Sequence, residues 1–521
     1  MITGNYIYLP IKYDERFSAK RIAGARWEPQ YKMWGWPIYM AERVCLMFPR
    51  FRDRVRRELG EIEERKKTIR DTSARKRAEA DIPPDYNFKL QPFEHQLKAI
   101  RYCLAERRFA LLMEMGTGKT KVIIDTACIL KLQGLVDKVL IISPMTIIDN
   151  WIEEIEKNSS EHGFYLKKHL THQSFFHIIN YEKLINTRVT AELIKNQYDM
   201  VVLDESSRIK NHQAKRTKAI IKTFRDVKYK YIMSGTPVTQ GPIDIYSQYE
   251  FLNPAYLGFK NFYAFRGYHC EMGGYGNYQI TGYRDIETLK RKIAAHSIQL
   301  KKEDCLDLPE KIYERRILEM TPEIMTQYKC MKDELYAEIG NDEALTASIV
   351  LTKIIRLQQI TSGAYVEKNP KLDELVEIIQ EDTSRQVIVW CRFIPSIKVI
   401  EKKMQELNIQ YSVLHGEIDD RQGQINRFQA GETRVFIGQI QTGGVGVNIT
   451  AGNIVVYFEN TFSLEDRLQS EARAHRYGQR RNVTYIDIVY KGTIDMIVYE
   501  AIKNKQDLAK TLVSCFKGAK L

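Results

Sequence analysis

The stretch Glu114-Met115-Gly116-Thr117-Gly118-Lys119-Thr120 constrains this chain more tightly than any other. It follows the apolar run 109–112 and precedes a helix-forming segment over 121–132, so strand, glycine loop and helix are expected in that order. Glycines at 116 and 118 let backbone N–H groups turn onto phosphate oxygens, and the first turn of the helix adds partial positive charge. In such a loop Thr117 joins the phosphate cradle, Lys119 reaches the β- and γ-phosphates of a nucleotide, and the Thr120 hydroxyl is placed to bind Mg2+. The full spacing of a phosphate loop wants a glycine at 113, where this chain has methionine. A glycine turn that merely precedes Lys-Thr is the plain alternative, and a second site further along the chain argues against it.

That second site closes the run 200–203, which reads as a buried parallel strand because it is continuously apolar. Asp204 and Glu205 follow, and acids at the carboxyl end of such a strand sit at the ligand crevice of an open α/β sheet. Asp204 can hold Mg2+, directly or through water, and Glu205 can orient and deprotonate an attacking water.

With 521 residues the chain has room for two large domains and one small one. Lys and Arg outnumber Asp and Glu by 79 to 66, a net charge of +13, which suits a polyanionic partner. Eight scattered cysteines without a CxxC pair speak against a zinc module or a disulfide framework, and for a reducing compartment. No signal peptide or apolar run of about 18 residues occurs, so neither secretion nor a membrane span is expected. The expectation is a monomeric, cytoplasmic, nucleoid-associated protein of a bacterial or virus-infected cell.

Residues 1–50 form a compact aromatic-rich unit, and 51–84 a charged helical linker ended by Pro83-Pro84. The linker reads as a solvated helix laced with i,i+4 pairs, with DNA contact as the alternative. Over 85–300 strand-like runs at 109–112, 138–143, 177–180, 200–203 and 230–234 alternate with helical ones. A second cycle over 301–521 has runs at 386–391, 411–414, 433–438, 453–458 and 484–489. Such alternation predicts an α/β protein with two successive parallel sheets.

Five further stretches complete the pattern. Gln96 lies just upstream of the first strand, where its amide can pair with an adenine edge. Ser143-Pro144 and Ser234-Gly235-Thr236-Pro237 each end a strand. In the second cycle Gln441-Thr442-Gly443-Gly444-Val445-Gly446 precedes Gln469-Ser470-Glu471-Ala472-Arg473-Ala474-His475-Arg476-Tyr477-Gly478-Gln479. With these residues laid out, 85–510 resembles the Swi/Snf-type ATPases of helicase superfamily two. EMGTGKT is similar to that family's first motif, DESSRIKN at 204–211 to its DExH-RxKN motif, and QSEARAHRYGQ to its QAxDRxHRxGQ.

The resemblance implies two tandem RecA-like lobes that clamp ATP and Mg2+, and translocation along duplex DNA. It implies that Gln96 meets adenine, that Gly116, Thr117, Gly118, Lys119 and Thr120 hold phosphate, and that Gly446 and Gln469 join them. Arg473 and Arg476 match the two motif arginines that reach across the cleft, where a guanidinium offers several donors to γ-phosphate oxygens. Ser143, Pro144, Ser234, Gly235, Thr236, Thr442 and Gly443 would face DNA. The chain departs from the family in four places: Ser207 stands for histidine and Ala472 for aspartate, 459–463 replaces Asp…Trp-Asn-Pro, and 299–302 lacks the arginines of Arg-Arg-x-Lys.

The segment 17–37 holds three of the five tryptophans, Trp27, Trp34 and Trp36, interleaved with Lys20, Arg21, Arg26 and Lys32. It reads as a short helix, a turn at Gly24 and a hairpin at Glu28-Pro29, and it resembles the HARP-type (HepA-related) module found beside Swi/Snf-type ATPases in annealing helicases. The tryptophans serve either as the core of a small domain or as stacking partners for unpaired bases. Trp36 is the first choice for an exposed DNA contact. The aromatic stretch 259–283 lacks the basic interleaving and reads as packing. The leading function is an ATP-dependent translocase that remodels or anneals duplex or forked DNA. A strand-separating DNA or RNA helicase and an ATP-gated clamp with little motor activity are the alternatives.

Overall fold

The computed structural model describes residues 1–3, 5–22, 24–62, 64, 77, 79–167, 169–235, 241–273, 279–341, 347–443 and 449–504. They divide into two compact units, the first of Met1–Glu114 and Gly118–Lys301 and the second of Met115–Thr117 and Lys302–Leu521.

The first unit opens with an antiparallel sheet of β1 (Ile2–Thr3), β2 (Tyr6–Leu9), β3 (Arg26–Glu28) and β4 (Met33–Pro37), in the order β1-β2-β4-β3. Alternation along these strands sorts the side chains onto two faces. Ile7 pairs with Trp36, Leu9 with Trp34, and Trp27 with Trp34, so these residues share one face. The helices Arg16–Lys20 and Ala41–Met47 contribute Ala19, Val44 and Cys45 to the core on that face. Trp36 is fully buried there: its Nε1 donates to Ala19 O at 3.2 Å and its ring packs on Phe48. This corrects the expectation of an exposed DNA contact at Trp36. A module this small has few other large groups to bury, so its central tryptophan becomes core. Trp27, on the edge strand, stays 48% exposed.

The opposite face carries Tyr6 and Tyr8 and is docked against the segment 256–295 of the same unit. Tyr6 and Tyr39 both meet the edge of Tyr268, at 5.9 and 5.2 Å. Arg284 donates to Tyr39 Oη at 3.0 Å, and Lys292 to Asn5 Oδ1 at 2.9 Å. Gly35 permits the close packing of this sheet, since a Cβ there would lie 2.6 Å from the Tyr8 ring.

A seven-stranded sheet follows: β5 (Arg108–Met113), β6 (Val139–Ser143), β7 (Gly163–Tyr165), β8 (Phe176–Asn180), β9 (Met200–Asp204), β10 (Tyr229–Met233) and, after an antiparallel hairpin of β11 (Cys270–Gly273) and β12 (Gln279–Tyr283), β13 (Ser297–Leu300). Its order is β13-β5-β10-β9-β6-β8-β7, and every pairing is parallel. The inner strands are buried on both faces, as helices between successive parallel strands require. Phe262, Phe265 and Tyr268 of the segment 256–295 are buried.

The second unit holds β14 (Lys311–Leu318), β15 (Val387–Cys391), β16 (Tyr411–Leu414), β17 (Val435–Gln439), β18 (Ile454–Tyr457) and β19 (Val483–Tyr490), ordered β14-β19-β18-β15-β17-β16 and again all parallel. Two apolar clusters, one around Val389, Ile437 and Val456 and one around Trp390, Phe436 and Tyr457, pack its two faces.

Buried histidines make the first unit acid-sensitive, His177 among them. His177 on β8 is 1% exposed, takes up the Tyr198 hydroxyl at Nδ1 (2.7 Å) and approaches His172 O through Nε2 (3.1 Å). Burial pushes its pKa down to about 4, so the folded protein holds it neutral while the unfolded chain protonates it near 6.5. Its contribution to stability is fully present above pH 6.5 and is lost as pH falls toward 4. The urea midpoint of the first unit should decline across that window, and His177→Asn should flatten the decline. An unchanged slope in the variant would remove His177 from the account.

Candidate active site

The carboxyl ends of β5, β10, β9 and β6 lie along one edge of the first sheet, because parallel pairing puts Met233 beside both Leu111 and Asp204, and Ser143 beside Asn180. The glycine loop leaves β5 there. Gly116 and Gly118 have φ of +83° and +85°, and Gly118 caps the helix Lys119–Leu132. Both angles lie in the left-handed region that suits glycine. A Cβ on Gly118 would also stand 2.1 Å from Gln96 Nε2. Gln96, on the helix Glu94–Ala105, is therefore brought directly against the loop, with its Oε1 accepting Phe93 N–H at 3.0 Å. Thr117 and Lys119 are buried, and Lys119 Nζ donates to Met113 O at 2.9 Å and Glu114 O at 3.3 Å. Thr120 lies in the first turn of the helix.

Asp204 ends β9. Its Oδ2 accepts the Trp151 indole N–H at 2.8 Å, its Oδ1 accepts Glu205 N–H at 2.9 Å, and its carbonyl accepts the Tyr181 hydroxyl at 2.7 Å. Burial, with the Asp204 carboxylate adding to it, holds the Tyr181 phenol well above its ordinary pKa, so it stays a donor. Glu205 takes a left-handed backbone, φ 50° and ψ 58°, which turns the chain sharply off the strand. Next to it, Ser206 Oγ donates to Gln248 Oε1 at 2.6 Å, both residues being fully buried. Ser207 is also buried.

Ser143 and Ser234 are buried at the ends of β6 and β10, Ser143 Oγ donating to Pro144 O at 3.3 Å, and Gly235 follows half-buried. Thr236 and Gly446 lie outside the described residues. Thr442 and Gly443 belong to the short helix Ile440–Gly443 that leaves β17.

In the second unit, Gln469 and Arg473 lie on the helix Leu464–Ala474, capped at its start by the Ser463 side chain. His475 ends the helix, with its Nε2 2.8 Å from Pro309 O and its carbonyl accepting Lys302 Nζ at 2.7 Å. Arg476 follows in a turn closed by Gln479 N–H to Arg476 O at 3.0 Å. The Gln479 amide donates to Thr450 O and Gly452 O, so the last residue of this motif is spent on the unit's own backbone.

Residues 95–366 match the model of the SNF2-related domain, and 370–478 match that of the helicase conserved C-terminal domain. The chain belongs to the SNF2-related family. Both are domains of helicase-type ATPases. Relatives include an uncharacterized ATP-dependent helicase of Mycoplasma pneumoniae, 28% identical over 79% of this chain and 41% of that protein. The DNA annealing helicase and endonuclease ZRANB3 of Bos taurus is 24% identical over 81% of this chain and 40% of that protein. The chain thus spans about two fifths of the length of these relatives. Among solved structures, the Sulfolobus solfataricus SWI2/SNF2 ATPase core in complex with dsDNA is 24% identical, covers 84% of this chain and 96% of its own, and has a TM-score of 0.41.

The first sheet's edge fits the nucleotide that the SNF2-related family uses. Left-handed Gly118 leaves the loop without a side chain toward Gln96, and Thr120 and Asp204 offer hard oxygen donors of the kind Mg2+ takes. Trp151, Tyr181 and Gln248 support the two acids and escape any reading of spacing, because each comes from a distant part of the chain. Among the described residues no helix is long and apolar enough to cross a membrane.

Proposed function

We propose that this chain is the motor core of an ATP-dependent DNA translocase. What carries the reading is the alignment of a phosphate loop and an Asp-Glu pair at one edge of a parallel sheet, in a chain with a net charge of +13. In this reading Gly116, Thr117, Gly118, Lys119 and Thr120 bind the phosphates of ATP, and Gln96 meets its base. Thr120 and Asp204 hold Mg2+, which neutralises charge on the transferred phosphoryl group. Glu205 accepts the proton of the attacking water. Gly446, Gln469, Arg473 and Arg476 complete the nucleotide site, the arginines serving the γ-phosphate as charge shifts onto it. Ser143, Pro144, Ser234, Gly235, Thr236, Thr442 and Gly443 meet DNA phosphates through backbone amides and hydroxyls. The aromatic and basic first module, HARP-like in sequence, reads forks or junctions, with Trp27 rather than Trp36 available for stacking.

The test is ATP turnover over single-stranded, duplex, forked and junction DNA, beside triplex displacement and fork unwinding. Duplex should raise turnover by tenfold or more and triplex strands should be displaced. The stimulation should fall steeply between 50 and 200 mM salt, since several phosphate contacts release counterions. Unwinding without triplex displacement would favour a strand-separating helicase, and turnover indifferent to DNA would sink the motor reading.

A further inference from the structure

The helix Leu464–Ala474 has two working stripes. Glu465, Gln469 and Arg473 succeed one another at i,i+4 along one of them, and two of these are the residues assigned above to the nucleotide. On the other, Arg467, Ser470, Glu471 and Ala474 are all buried. Arg467 is the centre of that buried stripe. Its Nη1 and Nη2 fork onto Asp487 Oδ1 and Oδ2 at 2.5 and 3.0 Å, its Nε donates to Glu471 Oε1 at 3.0 Å, and Nη1 also reaches Asn460 Oδ1. The guanidinium lies 3.4 Å over the Tyr457 ring.

These partners belong to different strands. Asp487 is on β19, Tyr457 ends β18, and Asn460 follows it. Glu471 reaches a third strand, its Oε2 accepting the Tyr313 hydroxyl of β14 at 2.8 Å, with Lys311 Nζ at 3.4 Å. Ser470 Oγ and Tyr457 Oη are 2.7 Å apart, and Tyr485 Oη donates to Glu471 O at 2.9 Å. Burial works against the charge on Arg467, but Asp487, Tyr457 and Glu471 outweigh it and keep the group ionised. A buried charge network of this kind adds little stability over well-packed apolar residues. What it supplies is geometry: a planar fork fixes both distance and rotation, which a lysine or an apolar contact does not.

We propose that Arg467 is a positioning residue, which sets the rotation and height of this helix so that Gln469 and Arg473 are held where they meet the nucleotide. The proposal rests on the nucleotide role given to Arg473 above. Misplacing a reacting group by about 1 Å can cost about 100-fold in rate, so the effect belongs in kcat rather than in ATP affinity.

The experiment compares the full chain with Arg467→Lys, with the apolar pair Arg467→Met/Asp487→Leu, and with Arg473→Ala. It measures kcat, KM for ATP, thermal melting and the fraction of active sites by titration. Both Arg467 variants should keep KM within about twofold and lose about 30- to 100-fold in kcat. The apolar pair should melt below wild type, because Glu471 Oε1 and Asn460 Oδ1 lose the donor they share, so its turnover is read per active site. Should the apolar pair not fold, Arg467→Lys decides alone. A variant whose active fraction turns over at the wild-type rate makes Arg467 a stabilising residue only and overturns the proposal. Normal hydrolysis by Arg473→Ala would instead overturn the nucleotide role of the stripe, so the two failures are told apart.

Discussion

Glu205→Gln should abolish ATP turnover and leave nucleotide binding intact. A positioned general base contributes about 10²- to 10⁴-fold, and the amide keeps the shape of the carboxylate while losing its basicity. The setting favours a functional rather than a structural acid. Glu205 sits in a left-handed backbone conformation, which costs a non-glycine residue about 1–3 kcal/mol and persists only where the surroundings enforce it. Here they do: Asp204 Oδ1 takes its N–H, Tyr181 holds the preceding carbonyl, and the buried Ser206–Gln248 bond pins the next residue. Glutamine meets the same backbone demand, so the fold should survive. Lys119→Ala should behave differently, lowering nucleotide affinity as well as turnover, because the proposed role has Lys119 reach the phosphates in the ground state. Turnover and fluorescent-nucleotide binding, measured on both variants, separate the roles. Wild-type turnover in Glu205→Gln would remove the assignment of the base.

The centre of each parallel sheet was legible and three of the four edges were not, for a physical reason: β7, β13 and β14 went unread, while the edge strand β16 was read at 411–414 because three of its four residues are buried. Inner parallel strands are covered on both faces, so 200–203 or 387–391 must be continuously apolar whatever their neighbours. Edge strands escape that demand. β14 reads Lys-Ile-Tyr-Glu-Arg-Arg-Ile-Leu and is largely exposed, and nothing in that spacing separates it from a loop. The glycine loop and the acid pair were legible because their chemistry needs fixed residue types at a strand end. Their supports were not, since the bond from Trp151 to Asp204 spans 53 residues and that from Ser206 to Gln248 spans 42. The same limit explains Ser207. Its replacement of a histidine draws attention to that position, yet a fully buried bond that ties this loop to the helix Ile245–Leu252 is made by Ser206, one residue earlier. Arg467 is invisible for the same cause: its meaning lies in Asp487, on the strand beyond the motif.

Trp36→Ala should unfold the first module, whereas Trp27→Ala should leave it folded and blunt its preference for forks. Replacing a fully buried Trp by Ala costs about 3–5 kcal/mol, because apolar area and a filled volume are lost together. A module of about 60 residues has only about 3–9 kcal/mol in hand. Trp36 also gives up its bond to Ala19 O and its contact with Phe48. Trp27 is 48% exposed and loses one edge contact with Trp34, at 6.0 Å between ring centroids, a loss of about 0.5–1.5 kcal/mol. If Trp27 stacks on unpaired bases, removing about 1–3 kcal/mol per base lowers the fork-to-duplex ratio about tenfold. Deleting residues 1–50 is a blunter test, since it also uncovers Tyr268 and strips Arg284 and Lys292 of their partners Tyr39 and Asn5. Limited proteolysis and thermal melting report the fold, and parallel titrations with fork and duplex report the reading. Native-like protease resistance in Trp36→Ala would contradict its place in the core. A folded Trp27→Ala that keeps the full fork preference would leave the module's docking on 256–295 as its main role, one of bracing the first unit rather than reading DNA.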